Sequence, residues 1–188
     1  PLLDQNPNKV DDVASVSAEA LLVGSQVTIY GIMEGYLNRA VSMVMQQMSG
    51  LQTDYYRDYN CDPIDANTNG RWTAMYGTGG LIDLNTTQSV AYEQEKFVLL
   101  GISQMWEALL FSTAADLWGD IPYSQAANSE YAQPEFDSQE DVHMAVIDLI
   151  DEAIDNFGEG QVFNLPIEHD FTYGANTDKW IAAAHTLK

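Results

Sequence analysis

With 188 residues the chain is long enough for one domain with a real core and too short for two comfortable ones. Its 28 acidic residues against 7 basic ones give a formal charge of −21, which repels phosphate backbones and acidic lipid. Nucleic acids and anionic membrane surfaces are thereby excluded, while neutral sugars, cationic ligands and divalent metals remain open.

In chain order, residues 1 to 16 read as a polar, extended lead-in with Asn-Pro-Asn turn chemistry, and neither a basic start nor an apolar run marks a signal peptide. Ser17 is placed to cap a first helix whose opening turn holds Glu19. Leu22, Ile29, Met33, Leu37, Val41, Val44 and Met48 recur at helical spacing, Gly50 supplies a stop, and Gly31 and Gly35 predict a bend. Glu34, Asn38 and Arg39 interrupt the apolar stretch from Ala20 to Met48, so it reads as a buried amphipathic helix and not a membrane span. Residues 51 to 70 mix aromatics with Asp and Asn and read as a long surface loop. A second helix is expected from near Arg71 through Trp72, Met75 and Tyr76, with Gly77, Gly79 and Gly80 breaking it.

A third helix is expected from about Tyr92, with Ile102, Trp106, Leu109, Thr113 and Leu117 on one face. Gly119 ends it and Pro122 prevents its continuation. After a polar loop from Ile121 to Phe136, Ser138-Gln139-Glu140-Asp141 forms a capping box. The fourth helix carries Val142, Val146, Leu149, Ile150, Ala153 and Phe157 on its stripe, and Gly158 is expected to close it. Residues 159 to 175 read as loop or short strand, and a fifth helix starts at Asn176 or Thr177 without a stop before Lys188, as expected of the front part of a longer protein. Nothing alternates with period two, so the class is all-α, an α-solenoid of helix pairs without an exact thirty-four-residue repeat.

Four stretches carry a family resemblance that covers essentially the whole chain. Ala114-Ala115-Asp116-Leu117-Trp118-Gly119-Asp120-Ile121-Pro122-Tyr123-Ser124-Gln125-Ala126 resembles the most characteristic segment of the SusD/RagB family, where a helix ends in an aromatic-Gly-Asp-hydrophobic-Pro-Tyr turn. Leu3-Asp4-Gln5-Asn6-Pro7-Asn8, the helix ending Asp148-Leu149-Ile150-Asp151-Glu152-Ala153 (one residue longer than the family's pattern), and Lys179-Trp180-Ile181-Ala182-Ala183-Ala184-His185-Thr186-Leu187-Lys188 resemble that family's other landmarks, in the same order. The resemblance implies the amino-terminal part of a single tetratricopeptide-like helical domain, spanning residues 1 to 188 here, in a non-enzymatic surface lipoprotein. It further implies an outer-membrane setting of Bacteroidota type, with a lipid anchor upstream of Pro1. The ligand would be an oligosaccharide, or a peptide in some members, and the partner a SusC-like TonB-dependent transporter.

Among candidate sites, Tyr55, Tyr56, Asn60, Asn69 and Trp72 have the chemistry of a sugar platform: rings for C–H faces, and amides for hydroxyls. The same rings would equally cover a helix–helix core. Trp118, Gly119, Asp120, Pro122 and Tyr123 read first as architecture, a capped helix end with a fixed exit. Asp65, Asn67 and Asn69, followed by Gly70, match the first half of a calcium loop, but Tyr76 stands where the bidentate Glu belongs; no cofactor is expected, with calcium the weak exception. Cys61, the lone cysteine, lies among Asp58, Asp62 and Asp65, which disfavour a thiolate. His143, His169 and His185 lack zinc spacing, and Met33, Met43, Met45 and Met48 read as core packing. Acidic pairs such as Asp54/Asp58 or Asp116/Asp120 keep a glycosidase as the enzymatic rival, while no Gly-x-Ser-x-Gly elbow supports a serine hydrolase. A helical scaffold that binds only a protein partner is the other alternative.

Overall fold

The computed structural model describes residues 17–49, 65–77, 79–163 and 170–188. Seven α-helices run through them: α1 Ala18–Ile32, α2 Asn38–Val44, α3 Asp65–Tyr76, α4 Leu81–Glu93, α5 Phe97–Trp118, α6 Gln139–Phe163 and α7 Thr177–Leu187. The one β feature among these residues is an isolated antiparallel bridge, Ile121 to Asp137. The architecture is all-α and tetratricopeptide-like.

Ser17 caps α1, its Oγ accepting from the Ala20 amide at 3.2 Å, a bond typically worth about 1 kcal/mol. Gly35 leaves helical geometry (φ −88°, ψ −119°) inside a π-helical segment, Met33–Leu37, so the bend falls at Gly35. Past that kink the expected stripe fails. Val41, Val44 and Met48 are exposed, and Met43 is the buried residue of α2. Of the four methionines read as core packing, Met45 and Met48 face solvent. The kink resets the phase of the helix, and a stripe extrapolated through it lands on the wrong face.

The second helix begins at Asp65, not at Arg71, so the half-match to a calcium loop lies on helical backbone. The expected third helix starts at Phe97, a few residues after Tyr92, and a further helix precedes it. α4, unforeseen, ends at a Schellman-type cap with Glu95 at φ 55°, where the Lys96 amide bonds Ala91 O at 2.8 Å and the Glu95 amide bonds Tyr92 O at 3.1 Å. α5 then starts at Phe97. It is also long and apolar enough to cross a membrane by composition, a property expected of no segment, yet most of it is buried against protein.

The helices stack in the order α1, α4, α5, α6, α7, with the α5–α6 contact the most extensive and α3 leaning on α1 and α4. As the central layer, α5 is buried on nearly every side. Leu109 and Thr113 are only partly buried, and Leu117 is exposed, so its core is not the single stripe expected. Of its buried polar groups, Trp106 Nε1 has no hydrogen-bond partner among the described residues, while Ser103, Gln104 and Glu107 are engaged. Ser103 Oγ donates to Leu84 O at 3.2 Å, Gln104 accepts from Asn156 at 2.7 Å and donates to Glu152 at 3.2 Å, and Glu107 accepts from Gln88 at 2.7 Å. Such pairing removes the penalty of burying a polar side chain.

Ser138 opens α6 as a capping residue, bonded by the Asp141 amide at 3.1 Å. Gly158 does not close this helix, which continues to Phe163. Asn176 caps α7, accepting from the Lys179 amide at 3.0 Å. The loop before α7 winds around the buried Asp170 carboxylate, which accepts from the amides of Thr172 (2.9 Å) and Ala175 (2.8 Å) and from Trp180 Nε1 (2.8 Å).

Candidate functional site

The segment after α5 is built by hydrogen bonds at every step. Gly119 ends the helix at φ 75°, a conformation costly for any residue with a Cβ. Asp120 Oδ1 accepts the Gln139 amide at 3.0 Å, and Gln139 Nε2 returns to Ala115 O at 2.9 Å, so the end of α5 is tied to the start of α6. Buried Ile121 exchanges both backbone hydrogen bonds with Asp137, at 3.1 and 2.9 Å. Asp137 also accepts from the amides of Tyr123 and Ser124 and from Ser124 Oγ, at 2.8, 2.8 and 2.7 Å. Partial burial works to raise its pKa, but these bonds outweigh it and hold the carboxyl below the usual range. Asp137 was not singled out by sequence; an acid just ahead of a capping serine is too common a pattern to attract notice.

Tyr123 reaches inward, donating its hydroxyl to Glu107 at 3.0 Å. Burial pushes the Tyr123 phenol well above its usual pKa, with the Glu107 carboxylate adding to the effect, so it remains a donor. Tyr76 from α3 donates to Pro122 O at 2.8 Å, and burial likewise raises its phenol. Trp118, Trp72, Tyr76, Phe111 and Tyr123 form a continuous run of rings, with successive centroids 5.6, 5.1, 5.5 and 5.0 Å apart. These are favourable edge and tilted contacts.

At the open end of that run lies a cleft of about 420 Å³ between α3 and the loop after α5. Trp72, Tyr76, Pro122, Ala126 and Pro134 line it, with Thr73 and Gly77 at its edge. Half-buried Trp72, expected as a ligand contact, is thereby brought against the Trp118–Tyr123 segment, expected as architecture. Asn69 lies on α3, three residues before Trp72 in sequence. Tyr55, Tyr56 and Asn60 lie outside the described residues, as do Cys61, His169 and the pair Asp54/Asp58. The cleft's small, apolar, ring-walled shape suits the C–H face of a sugar or another flat, weakly polar group.

A second concavity, about 440 Å³, runs between α1, α5 and α7 and is walled by Tyr30, Met105, Trp106, Trp180 and Leu187. Sequence reasoning missed it, because its rings come from three helices far apart in the chain. Tyr30 meets Trp106 edge-on at 5.1 Å and Trp106 meets Trp180 at 6.2 Å.

The remaining candidates are placed elsewhere. Asp116 pairs with His143 Nε2 at 3.3 Å on the surface while Asp120 caps α6, so each carboxylate is engaged with its own partner. His185 sits exposed on α7. Asp65, Asn67 and Asn69 share α3, and among the described residues no group of three or more His, Cys, Asp or Glu side chains converges as a metal site.

A family model described as "SusD-like_2: Starch-binding associating with outer membrane" matches residues 7–188. None of the curated proteins matches. Seven chains of solved structures match. One is the crystal structure of a SusD/RagB family protein from Bacteroides thetaiotaomicron, with 23% identity and a TM-score of 0.79. The match covers 92% of this chain and 37% of that one, so the chain spans little more than a third of the solved relative's length.

Proposed function

The chain belongs to the SusD-like family of starch-binding proteins that associate with the outer membrane, and from that premise we propose that it captures an oligosaccharide at the cell surface and passes it to a TonB-dependent transporter. The observation that carries this reading is the cleft of about 420 Å³ walled by Trp72, Tyr76 and Pro122. It presents flat ring surface on a support that hydrogen bonds hold at both ends. Binding there is by shape and stacking, without bond breaking. An upstream lipid anchor would hold the protein outside the cell and over the transporter barrel.

Isothermal calorimetry with the protein and a panel of oligosaccharides tests the capture step. Trp72→Ala is expected to weaken the best ligand about tenfold, the effect of losing roughly 1.4 kcal/mol of stacking. Binding unchanged by the substitution, or no binding to any sugar, overturns the reading. Co-purification with a barrel protein from detergent-solubilised outer membranes tests delivery.

A second reading is favoured by the groove between α1, α5 and α7. Its apolar walls suit a polypeptide surface, as a helical scaffold would need. Trp72 lining an open cleft supports capture over this alternative. Protein binding that blocks the groove, combined with no sugar binding, would reverse the preference.

A further inference from the structure

Two walls face each other across the ring-walled cleft. α3 supplies one, with Trp72 and Tyr76, and the loop after α5 supplies the other, with Pro122, Ala126, Ala127 and Pro134. Helical hydrogen bonds fix the first wall. The second has no helix or strand between residues 122 and 136 to hold it, and ordering a connection of that length costs conformational entropy.

Side-chain acceptors take the place of a regular element. Ile121 and Asp137 close the base of the loop through their two backbone bonds. Just inside that closure the Asp137 carboxylate accepts from the amides of Tyr123 and Ser124, both at 2.8 Å. Pro122 stands between Ile121 and Tyr123, so both of its chain neighbours are bound to Asp137. Farther out, Gln125 Oε1 accepts the Glu135 amide at 3.1 Å. Wall residues flank this second rung, since Ala126 follows Gln125 and Pro134 precedes Glu135. Proline has no amide hydrogen and cannot anchor its own position by donating. The amides beside Pro122 and Pro134 do so for them. Across the cleft, the Tyr76 hydroxyl donates to Pro122 O at 2.8 Å and ties wall to wall.

We infer that Asp137 and Gln125 are positioning residues of this cleft: neither lines it, yet their acceptor oxygens hold Pro122 and Pro134 opposite Trp72, where a ligand ring enters. The inference rests on the capture reading and concerns how that same site is held open. A wall ordered before the ligand arrives spares binding the entropy of ordering it. Oxygen acceptors do this, so the charge of Asp137 is dispensable and an asparagine in its place serves as well.

The test is calorimetry with maltoheptaose, cellohexaose and xylohexaose as probes, taking the one that the native protein binds tightest. Asp137→Ala and Gln125→Ala should each weaken it about fivefold, the effect of losing one hydrogen bond's net contribution. Asp137→Asn should keep native affinity, because its oxygen can accept both amides while its amide donates to Ser124 Oγ. Melting curves establish that each variant is folded at the titration temperature. Gln125→Ala, at the outer rung, carries the test if Asp137→Ala does not fold. A double-mutant cycle adds a readout that a merely structural role would not move: combined with Trp72→Ala, the cost of Asp137→Ala should shrink, because both walls act on one ligand ring. Native affinity in the alanine variants, Asp137→Asn as weak as Asp137→Ala, or effects that simply add to that of Trp72→Ala overturn the positioning assignment and leave capture standing. No binding of any probe by the native protein overturns capture and the assignment with it.

Discussion

Glu107 is 7% exposed, and among the described residues no cation partners it. Burial raises its pKa above the usual carboxylate value; hydrogen bonds from Gln88 and Tyr123 oppose the shift, and the Glu152 carboxylate adds to it. A raised native pKa means that the folded state holds a proton the unfolded state has released. Its contribution to stability is therefore complete below the unfolded carboxylate pKa and declines as pH climbs through the raised native value. Glu107→Gln keeps the shape and the partners, because its amide can accept from Tyr123 and pair with the Gln88 amide. Thermal melts should place this variant about 3 °C above the native protein at neutral pH, the shift that ~1 kcal/mol gives at this size. Its melting temperature should also fall less between pH 5 and pH 8. A variant that melts lower at neutral pH would show that the charged form is needed. Residues of this kind are hidden from sequence reading: Glu107 shares its helix with one other acid, Asp116, and only its neighbours from α4 and the loop after α5 mark it out.

At the scale of elements, helix ends with a recognisable chemical cap were legible, and those without one were not. Ser17, Ser138 and Asn176 are oxygen-bearing caps and open their helices where expected. The break between α4 and α5 was missed because Glu95 takes the left-handed position where glycine is the usual signal. Gly158 misled in the opposite sense, as a glycine inside a helix. A Cβ there meets nothing within 4 Å, whereas one at Gly101 would lie 2.8 Å from Phe157 Cε1 and 3.1 Å from the Ala153 carbonyl oxygen. Gly158→Ala should therefore stabilise by about 0.5–1 kcal/mol through helix propensity. Gly101→Ala should destabilise by about 1–3 kcal/mol, because the α5–α6 interface must open to admit the methyl. Urea unfolding of the pair checks both signs, and a stabilised Gly101→Ala would mean that the interface yields more readily than close packing allows.

Over the whole molecule, a charge of −21 acts against compactness through self-repulsion. Raising sodium chloride from 10 mM to 0.5 M shortens the screening length severalfold, so the melting temperature should climb by several degrees. A flat or falling profile would mean that the ion pairs Lys96–Glu19 and Lys188–Asp151 outweigh the repulsion. The class of fold, the five strongest helical segments and the family landmarks around Trp118–Tyr123 were all readable from the chain alone. These rest on local chemistry, in which periodicity, caps and turn residues act between neighbours a few positions apart. The sites were another matter. Trp72 stood out by residue type, but its cleft required Pro122 and Pro134 to be folded against α3. The groove between α1, α5 and α7 required Tyr30, Trp106 and Trp180 to be brought together from three helices. Concavity and charge convergence are properties of surfaces assembled from distant segments, and the packing of helix against helix decides them.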